Sequence, residues 1–338
     1  MKEFIIGDNQ SGQRFDKYLA KLMKNGSKSF FYKMLRKKNI TLNGKKAAGN
    51  EILQKGDCVK LFFSDETFEK FQGAAKTEQL LEKASGPRES PDGLQVIYED
   101  ENVLLVNKPA GMLSQPADDG TPSLVEYITG YLLKTGALDR ESLKTFHPSV
   151  CNRLDRNTSG LVAAGKSLAG LQRLSEMFRD RTLHKYYLCL VKGVLTEEKH
   201  LKGFLHKNKK DNKVILLSLQ EGDALPIETR YVPLKTNGKL TLLQVQLITG
   251  RPHQIRAHLS GTGHPILGDP KYGDRSLNRL YQQKYGLKHQ LLHAFRLVIP
   301  ENAGEGLNLS GKEFTAPLPE LFSTILEDEH LEEIKNEN

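Results

Sequence analysis

Residues 151 to 160 read Cys-Asn-Arg-Leu-Asp-Arg-Asn-Thr-Ser-Gly and lead directly into an apolar run, Leu161-Val162-Ala163-Ala164-Gly165. Asp155 is thus an acid with Arg153 and Arg156 on either side, opening a strand that must be buried. Burial raises a carboxylate pKa and nearby cations lower it, so the flanking arginines are expected to keep Asp155 ionised. An ionised carboxylate at the edge of a core can serve as a nucleophile, or it can be a structural acid pinning two arginines. Both readings stand on these ten residues alone, because perturbed carboxylates mark structural networks as well as active sites.

A second cluster is Thr249-Gly250-Arg251-Pro252-His253-Gln254-Ile255-Arg256-Ala257-His258. It follows a predicted strand and opens a predicted helix, with Pro252 suited to the first helical position. A guanidinium suits a carboxylate because two parallel N–H bonds fix its direction, so Arg256 is a candidate partner for an acid or else a helix-surface cation. His253 and His258 lack a neighbouring carboxylate cluster, and two histidines alone are a weak metal signal; no metal is expected. In the predicted strand His184 to Gly193, Tyr187, Cys189 and Val191 share one face while Tyr186, Leu188 and Leu190 share the other. Periodicity does not choose which tyrosine faces a site.

The elements that must hold these residues are readable in outline. Phe15, Leu19 and Leu22 recur at helical spacing. Ser27 is placed to cap a second helix, Lys28 to Lys38, with Phe31, Met34 and Leu35 inward and Lys33, Arg36, Lys37 and Lys38 outward. Ile40 to Leu42 reads as a strand turned by Asn43-Gly44, and Cys58 to Phe63 closes this first unit. Residues 64 to 93 have linker composition, with a short helix expected at Thr77 to Lys83. Beyond them come a hairpin (Val96 to Tyr98 and Val103 to Val106), the turn Lys108-Pro109-Ala110-Gly111-Met112 and a helix capped by Ser167. The strands Thr229 to Leu234 and Leu240 to Ile248 follow, joined at Asn237-Gly238. Lys199 to Lys213 reads as a basic loop. Strands with helices set between them predict an α+β domain with a mixed, mostly antiparallel sheet.

Several of these segments together resemble the RluA-type pseudouridine synthases. Arg153-Leu154-Asp155 and Thr158-Ser159-Gly160 match that family's catalytic motif, with Asn152 in place of its usual His. Lys108-Pro109-Ala110-Gly111 matches a second signature. Gly250-Arg251 and His253-Gln254-Ile255-Arg256 match a third, from which only Pro252 departs. The resemblance implies that Asp155 is the indispensable catalytic residue, that Arg256 pairs with it, and that Tyr187, in Lys185-Tyr186-Tyr187, lies over the target base. It also implies isomerisation of uridine in structured RNA, large-subunit ribosomal RNA above all, with no cofactor and no metal. Residues 12 to 63 resemble the small α/β RNA-binding domain first known from small-subunit ribosomal protein S-four. Arg14, Lys33, Arg36, Lys37 and Lys38 there, with Arg153, Arg251 and His253 near the site, become the RNA-binding candidates.

Charge distribution agrees with an RNA partner. The 338-residue chain carries a net charge of +8, yet residues 1 to 63 hold 14 Lys/Arg against 5 Asp/Glu, while residues 321 to 338 hold 1 Lys against 6 acids. A basic N-terminal module is the electrostatic footprint of a nucleic-acid binder. The expected layout is therefore an RNA-binding domain at 1–63, a linker at 64–93, a catalytic domain at 94–320 and an acidic tail at 321–338, either a short helix or a frayed end. Three dispersed cysteines suggest neither a zinc site nor a disulfide framework. With no apolar run of membrane-spanning length and no signal stretch at Met1-Lys2-Glu3-Phe4, a cytoplasmic monomer is expected. Two rivals come from other classes. A non-catalytic RNA-binding or ribosome-assembly factor would lack the acid, whereas a glycosidase would need a second carboxylate about 5–9.5 Å from the first. Transfer RNA is the alternative substrate.

Overall fold

The computed structural model describes residues 1–72, 94–117, 120–208, 213–217, 219–303 and 306–332. The first unit is a three-stranded antiparallel sheet, Lys2–Ile5 (β1), Ile40–Leu42 (β2) and Cys58–Leu61 (β3), in the order β1-β3-β2. Helices Phe15–Leu22 (α1) and Lys28–Arg36 (α2) complete it. The expected apolar faces are buried: Phe15, Leu19, Leu22, Phe31 and Leu35 all lie in one core. Ser27 Oγ accepts from the Phe30 amide at 3.2 Å, satisfying one of the four free N–H groups that every helix start leaves. Asn43 and Gly44 both adopt positive φ, 51° and 72°, the geometry a two-residue hairpin turn requires.

The stretch taken for linker begins as structure. Asp65–Gln72 forms helix α3, its Phe68 ring 5.9 Å from Phe4 and its Phe71 stacked 4.3 Å from Phe30. The aromatic spacing of Phe68 and Phe71 closes the bottom of the first core, a role that the polar residues around them conceal. The expected helix at Thr77 to Lys83 lies outside the described residues.

The second unit is built on a sheet that has eleven strands among the described residues. In chain order these are Gln95–Glu99 (β4), Val103–Lys108 (β5), Ser149–Val150 (β6), Ser159–Gly165 (β7), His184–Lys192 (β8), Lys199–Asn208 (β9), Lys213–Leu217 (β10), Leu225–Thr236 (β11), Leu240–Leu247 (β12), Leu292–Val298 (β13) and Glu313–Thr315 (β14). The main path runs β10-β9-β11-β12-β8-β13-β7-β5-β4, with β14 on β13 and β6 on β7. Among the described strands, only β13 and β7 pair in parallel. This is the mixed, mostly antiparallel α+β architecture that the sequence predicts.

Alternation along β8 divides two cores as expected. Tyr187, Cys189 and Val191 pack with helix Leu124–Lys134 (α4) and helix Gln254–Gly261 (α6), while Leu190 packs on the other face with helices Arg275–Tyr285 (α7) and Glu320–Asp328 (α8). Helix Leu168–Arg179 (α5), capped by Ser167, buries Leu168 and Leu174 beneath β5 and β7.

Three expectations are corrected. Within the expected loop Lys199 to Lys213, Lys199–Asn208 is strand β9, paired to β11 over Lys199 to Leu205, and Lys213 opens β10, while 209–212 lie outside the described residues. Backbone pairing to neighbours on both sides makes β9 a strand despite a sequence that alternates poorly. The described part of the acidic segment from 321 is the short helix of the two alternatives, packed rather than separate: α8 starts at Glu320, and Phe322, Ile325, Leu326 and Leu331 are buried under the large sheet. Its acids sit on the outer face of a packed helix. Pro252 does not start α6, which begins at Gln254 after a left-handed His253 (φ 55°).

Candidate active site

Asp155 lies in the turn between β6 and β7, and its neighbour on each side, Leu154 and Arg156, is fixed by the end of β5 and the loop after it. Ser114 Oγ donates to the Leu154 carbonyl (2.8 Å) and accepts from its amide (3.0 Å). The Arg156 carbonyl accepts from the Gly111 amide (2.8 Å) and from Lys108 Nζ (3.1 Å). Lys108 is wholly buried, and its ammonium also reaches the Pro109 and Met112 carbonyls at 3.0 and 2.9 Å. Burial pushes it down to about 7, and the charge of Asp155 opposes that shift. The Lys-Pro-Ala-Gly turn therefore acts as a clamp on the Asp155 peptide. Asn152, the departure from the family motif, bridges the base of the turn: its amide donates to the Leu161 carbonyl (3.2 Å) and accepts from the Ala163 amide (2.8 Å).

The hydrogen-bonded charge partner of Asp155 comes from a distant segment. Arg153 and Arg156 are exposed, and Arg156 Nε donates to the Gly111 carbonyl. Asp155 Oδ2 instead accepts from Arg256 Nη1 at 2.8 Å. Neighbours in an extended turn point apart, so a residue 101 positions away supplies the cation. Arg256 is itself held by Asp269, through Nε to Oδ2 (2.7 Å) and Nη2 to Oδ1 (2.9 Å), and its guanidinium lies 5.2 Å from the Tyr272 ring centre. Burial pushes the Asp269 carboxyl up, but hydrogen bonds and charge from Arg256 and the amides of Tyr272 and Lys271 outweigh it, and the group sits below the usual carboxylate range. Side-chain exposure grades from 0% at Asp269 through 5% at Arg256 to 27% at Asp155. A buried acid thus orients an arginine whose remaining prong presents the outermost carboxylate to solvent.

The turn before α6 explains the misplaced helix start. Gln254 folds back so that its Oε1 accepts from the Arg251 amide (3.1 Å) and Thr249 Oγ1 (2.7 Å). Its Nε2 donates to the Glu228 carbonyl and Thr229 Oγ1, both at 2.9 Å. His253 is thereby turned inward, Nδ1 3.0 Å from the Tyr272 hydroxyl and Nε2 4.0 Å from Asp155 Oδ2. Burial lowers its pKa.

These groups line a pocket of about 910 Å³ that includes Asp155, Tyr187, Arg256, Arg153, Arg251 and His253. Asp155 is the only acid among its described lining residues, so the second carboxylate of a glycosidase has no counterpart there. Tyr187, 6% exposed, faces this pocket, while Tyr186 lies on the other side of the strand with Arg296 4.9 Å from its ring. Burial, then the charge of Asp155, pushes the Tyr187 phenol well above its usual range. Among the described residues, no group of His, Cys, Asp and Glu could hold a metal ion.

Arg14, Lys33, Arg36, Lys37 and Lys38 are not in the pocket. They lie on the first unit, where Lys33, Arg36, Lys37 and Lys38 are exposed and Arg14 forks onto Asp16 at 3.0 Å through each of two nitrogens. Sequence reasoning passed over Asp269, Tyr272 and Ser114. Asp269 lies thirteen residues after Arg256 in the chain, and only its closeness to Arg256 in space reveals what it does.

Fold and site together define an enzyme with one clamped carboxylate beside an aromatic ring, in a basic cleft, on a mixed sheet. Comparison with known proteins gives that class its family. Residues 102–261 match the family model described as RNA pseudouridylate synthase. The ribosomal large subunit pseudouridine synthase C of Vibrio vulnificus is 31% identical over 327 residues, covering 95% of this chain and 94% of that protein. The protein of the same description from Haemophilus influenzae is 31% identical over 335 residues, covering 97% and 94%. A solved structure, human RNA pseudouridylate synthase domain containing 4, shares the fold with a TM-score of 0.56 at 24% identity, covering 78% of this chain and 98% of that one. The chain belongs to the RNA pseudouridylate synthase family and is an isomerase. Among the described residues, no helix is long and apolar enough to cross a membrane.

Proposed function

We propose that the chain converts specific uridines of large-subunit ribosomal RNA to pseudouridine, with Asp155 as the nucleophile. The observation that carries this is a carboxylate held by one arginine prong in a pocket that has no other acid among its described lining residues. The relatives named ribosomal large subunit pseudouridine synthase C support the ribosomal target. In the reaction the bond between base N1 and sugar C1′ breaks, the base turns, and C5 bonds to C1′. The C5 proton leaves and N1 gains one, so product and substrate have the same atoms and no redox partner enters.

A carboxylate nucleophile divides this into two easier steps through a covalent intermediate. Arg256 occupies Oδ2, which leaves Oδ1 for either the anomeric carbon or the uracil ring. The uridine must first leave its stack, at a cost of about a few kcal/mol. Stacking on Tyr187 would return on the order of 1–3 kcal/mol. Arg153, Arg251 and His253 would meet the RNA around the pocket, while Arg14, Lys33, Arg36, Lys37 and Lys38 would hold phosphates farther away, adding affinity rather than base choice.

The test is Asp155→Asn, which keeps the shape and removes the nucleophile. Pseudouridines are mapped in total RNA from cells lacking the gene and complemented with wild type or variant. Sites restored by wild type should be absent with Asp155→Asn, while RNA binding in vitro stays within several-fold. Substantial turnover by the variant would sink the assignment.

A further inference from the structure

Beside the Asp155 cluster, a second set of cations lines the same pocket: Arg179 at the end of α5, Arg181 just after it, and Lys185 on β8. Lys185 lies two residues before Tyr187, so the two side chains project from the same face of the strand. Its ammonium reaches across to the turn that carries Arg251, where a methyl group on Gly250 would sit 3.8 Å from Nζ. Arg179 is already forked onto Asp180 at 2.9 and 3.3 Å. Among the described residues, no carboxylate pairs with Arg181 or Lys185, and Arg251 Nε is buried without a hydrogen-bond partner. Arg181 also has a left-handed backbone, φ 60°, a conformation that costs a non-glycine residue about 1–3 kcal/mol and collects at binding sites.

A half-buried ammonium beside a guanidinium, with no acid to offset them, is unfavourable in the free protein. Burial, then the charge of Arg181, pushes the Lys185 pKa down. A ligand bearing a compact negative charge would relieve both effects. In an RNA-modifying pocket, the group that fits is a backbone phosphodiester adjoining the flipped nucleotide.

Resting on the reading of the Asp155 pocket as the uridine site, we propose that Lys185, Arg181 and Arg251 form a phosphate subsite that fixes the backbone next to the target base. Such a contact is made equally before and during the reaction. Its loss therefore raises KM and leaves kcat nearly unchanged.

The experiment uses the full-length enzyme and deproteinised total RNA from cells lacking the gene. Pseudouridine formation is followed against RNA concentration, and binding against salt, for wild type, Lys185→Met, Lys185→Arg and Arg181→Gln. Lys185→Met keeps the alkyl stem and removes the charge. It and Arg181→Gln should raise KM by roughly 3–10-fold, hold kcat within about twofold, and lower the salt slope of binding by about one. Lys185→Arg should recover most of the KM. An unchanged KM and salt slope in both charge-removing variants overturns the subsite, as does a fall in kcat at constant KM, which would put Lys185 in the chemistry. If Lys185→Met fails to fold, Arg181→Gln, at an exposed position, carries the same test. No pseudouridine from wild type would count against the uridine-site reading, whereas the salt slopes of binding judge the phosphate subsite separately.

Discussion

Arg256 makes three hydrogen bonds to two carboxylates, and their unequal burial decides what its loss does. Asp269 is fully buried and keeps two of the bonds. Arg256→Ala would strand that charge, and breaking a buried pair typically costs about 3–5 kcal/mol. Arg256→Lys would keep a positive charge but lose the fork that serves two acids at once. We expect both variants to lose turnover, with the Ala variant also losing stability. The pH dependence follows from Asp269, whose folded-state pKa lies below its ordinary 3.8. Its contribution is complete above the unfolded value and is lost as pH falls through the lower folded one. Urea unfolding of wild type and Arg256→Ala should therefore show a gap that is widest near neutrality and narrows in strong acid. A gap that stayed constant down to about pH 2 would mean that no ion pair links Arg256 to Asp269. At this scale the motifs made Asp155, Arg256 and Tyr187 legible, because residue type and local spacing survive in the sequence. Asp269 was not legible as a site residue: the contact that gives it meaning joins two segments by folding alone.

The element that opens behind Asp155 depends on a glycine for a reason no local pattern contains. Gly160, the second residue of the buried run of β7, has φ 114° and lies opposite Ala294 of β13 in a parallel pairing. A Cβ there would collide with the Ala294 backbone. Gly44 offers a contrast, since its φ is also positive at 72° but a Cβ would meet nothing within 4 Å. Gly44→Ala should cost only the backbone preference, roughly 1 kcal/mol. Gly160→Ala adds the collision and should lower the thermal midpoint by clearly more, at about 2–4 °C per kcal/mol for a unit of this size. A loss of no more than about 1 kcal/mol for Gly160→Ala, measured on the transition of the second unit, would show that β13 yields freely. Strands with clean alternation, such as β8, were legible; β9 was not, because its place is secured by backbone bonds to β10 and β11 rather than by its side chains. The start of α6 was missed for a related reason, since the side chain of Gln254 ties the turn that Pro252 alone would leave helical.

Across the whole molecule, the core of the first unit is separate from the cores of the second. The buried members of the first core run from Ile6 to Phe68, and those of the others begin at Val103. Hydrogen bonds join the units at Gln10 Nε2 to Thr145 Oγ1 (3.0 Å) and at the Leu168 amide to Asn9 Oδ1 (3.4 Å). The first unit should therefore be removable without unfolding the second. Its basic balance and the exposed Lys33, Arg36, Lys37 and Lys38 motivate the hypothesis that it grips RNA through phosphates. Each phosphate neutralised releases counterions, so affinity falls with salt at a slope set by the number of such contacts. Because α3 completes the first core, the cut belongs after residue 72, not 63. Deleting residues 1–72 should weaken RNA binding and flatten the salt dependence by about 2–4 in the log–log slope, while the remaining chain keeps a cooperative thermal transition. Substituting Lys33, Arg36, Lys37 and Lys38 together by Gln in the full-length protein should reproduce most of that flattening with the unit still folded. A truncated protein that binds with an unchanged slope would assign the unit some task other than holding phosphates, and the pocket's own cations would then account for the affinity.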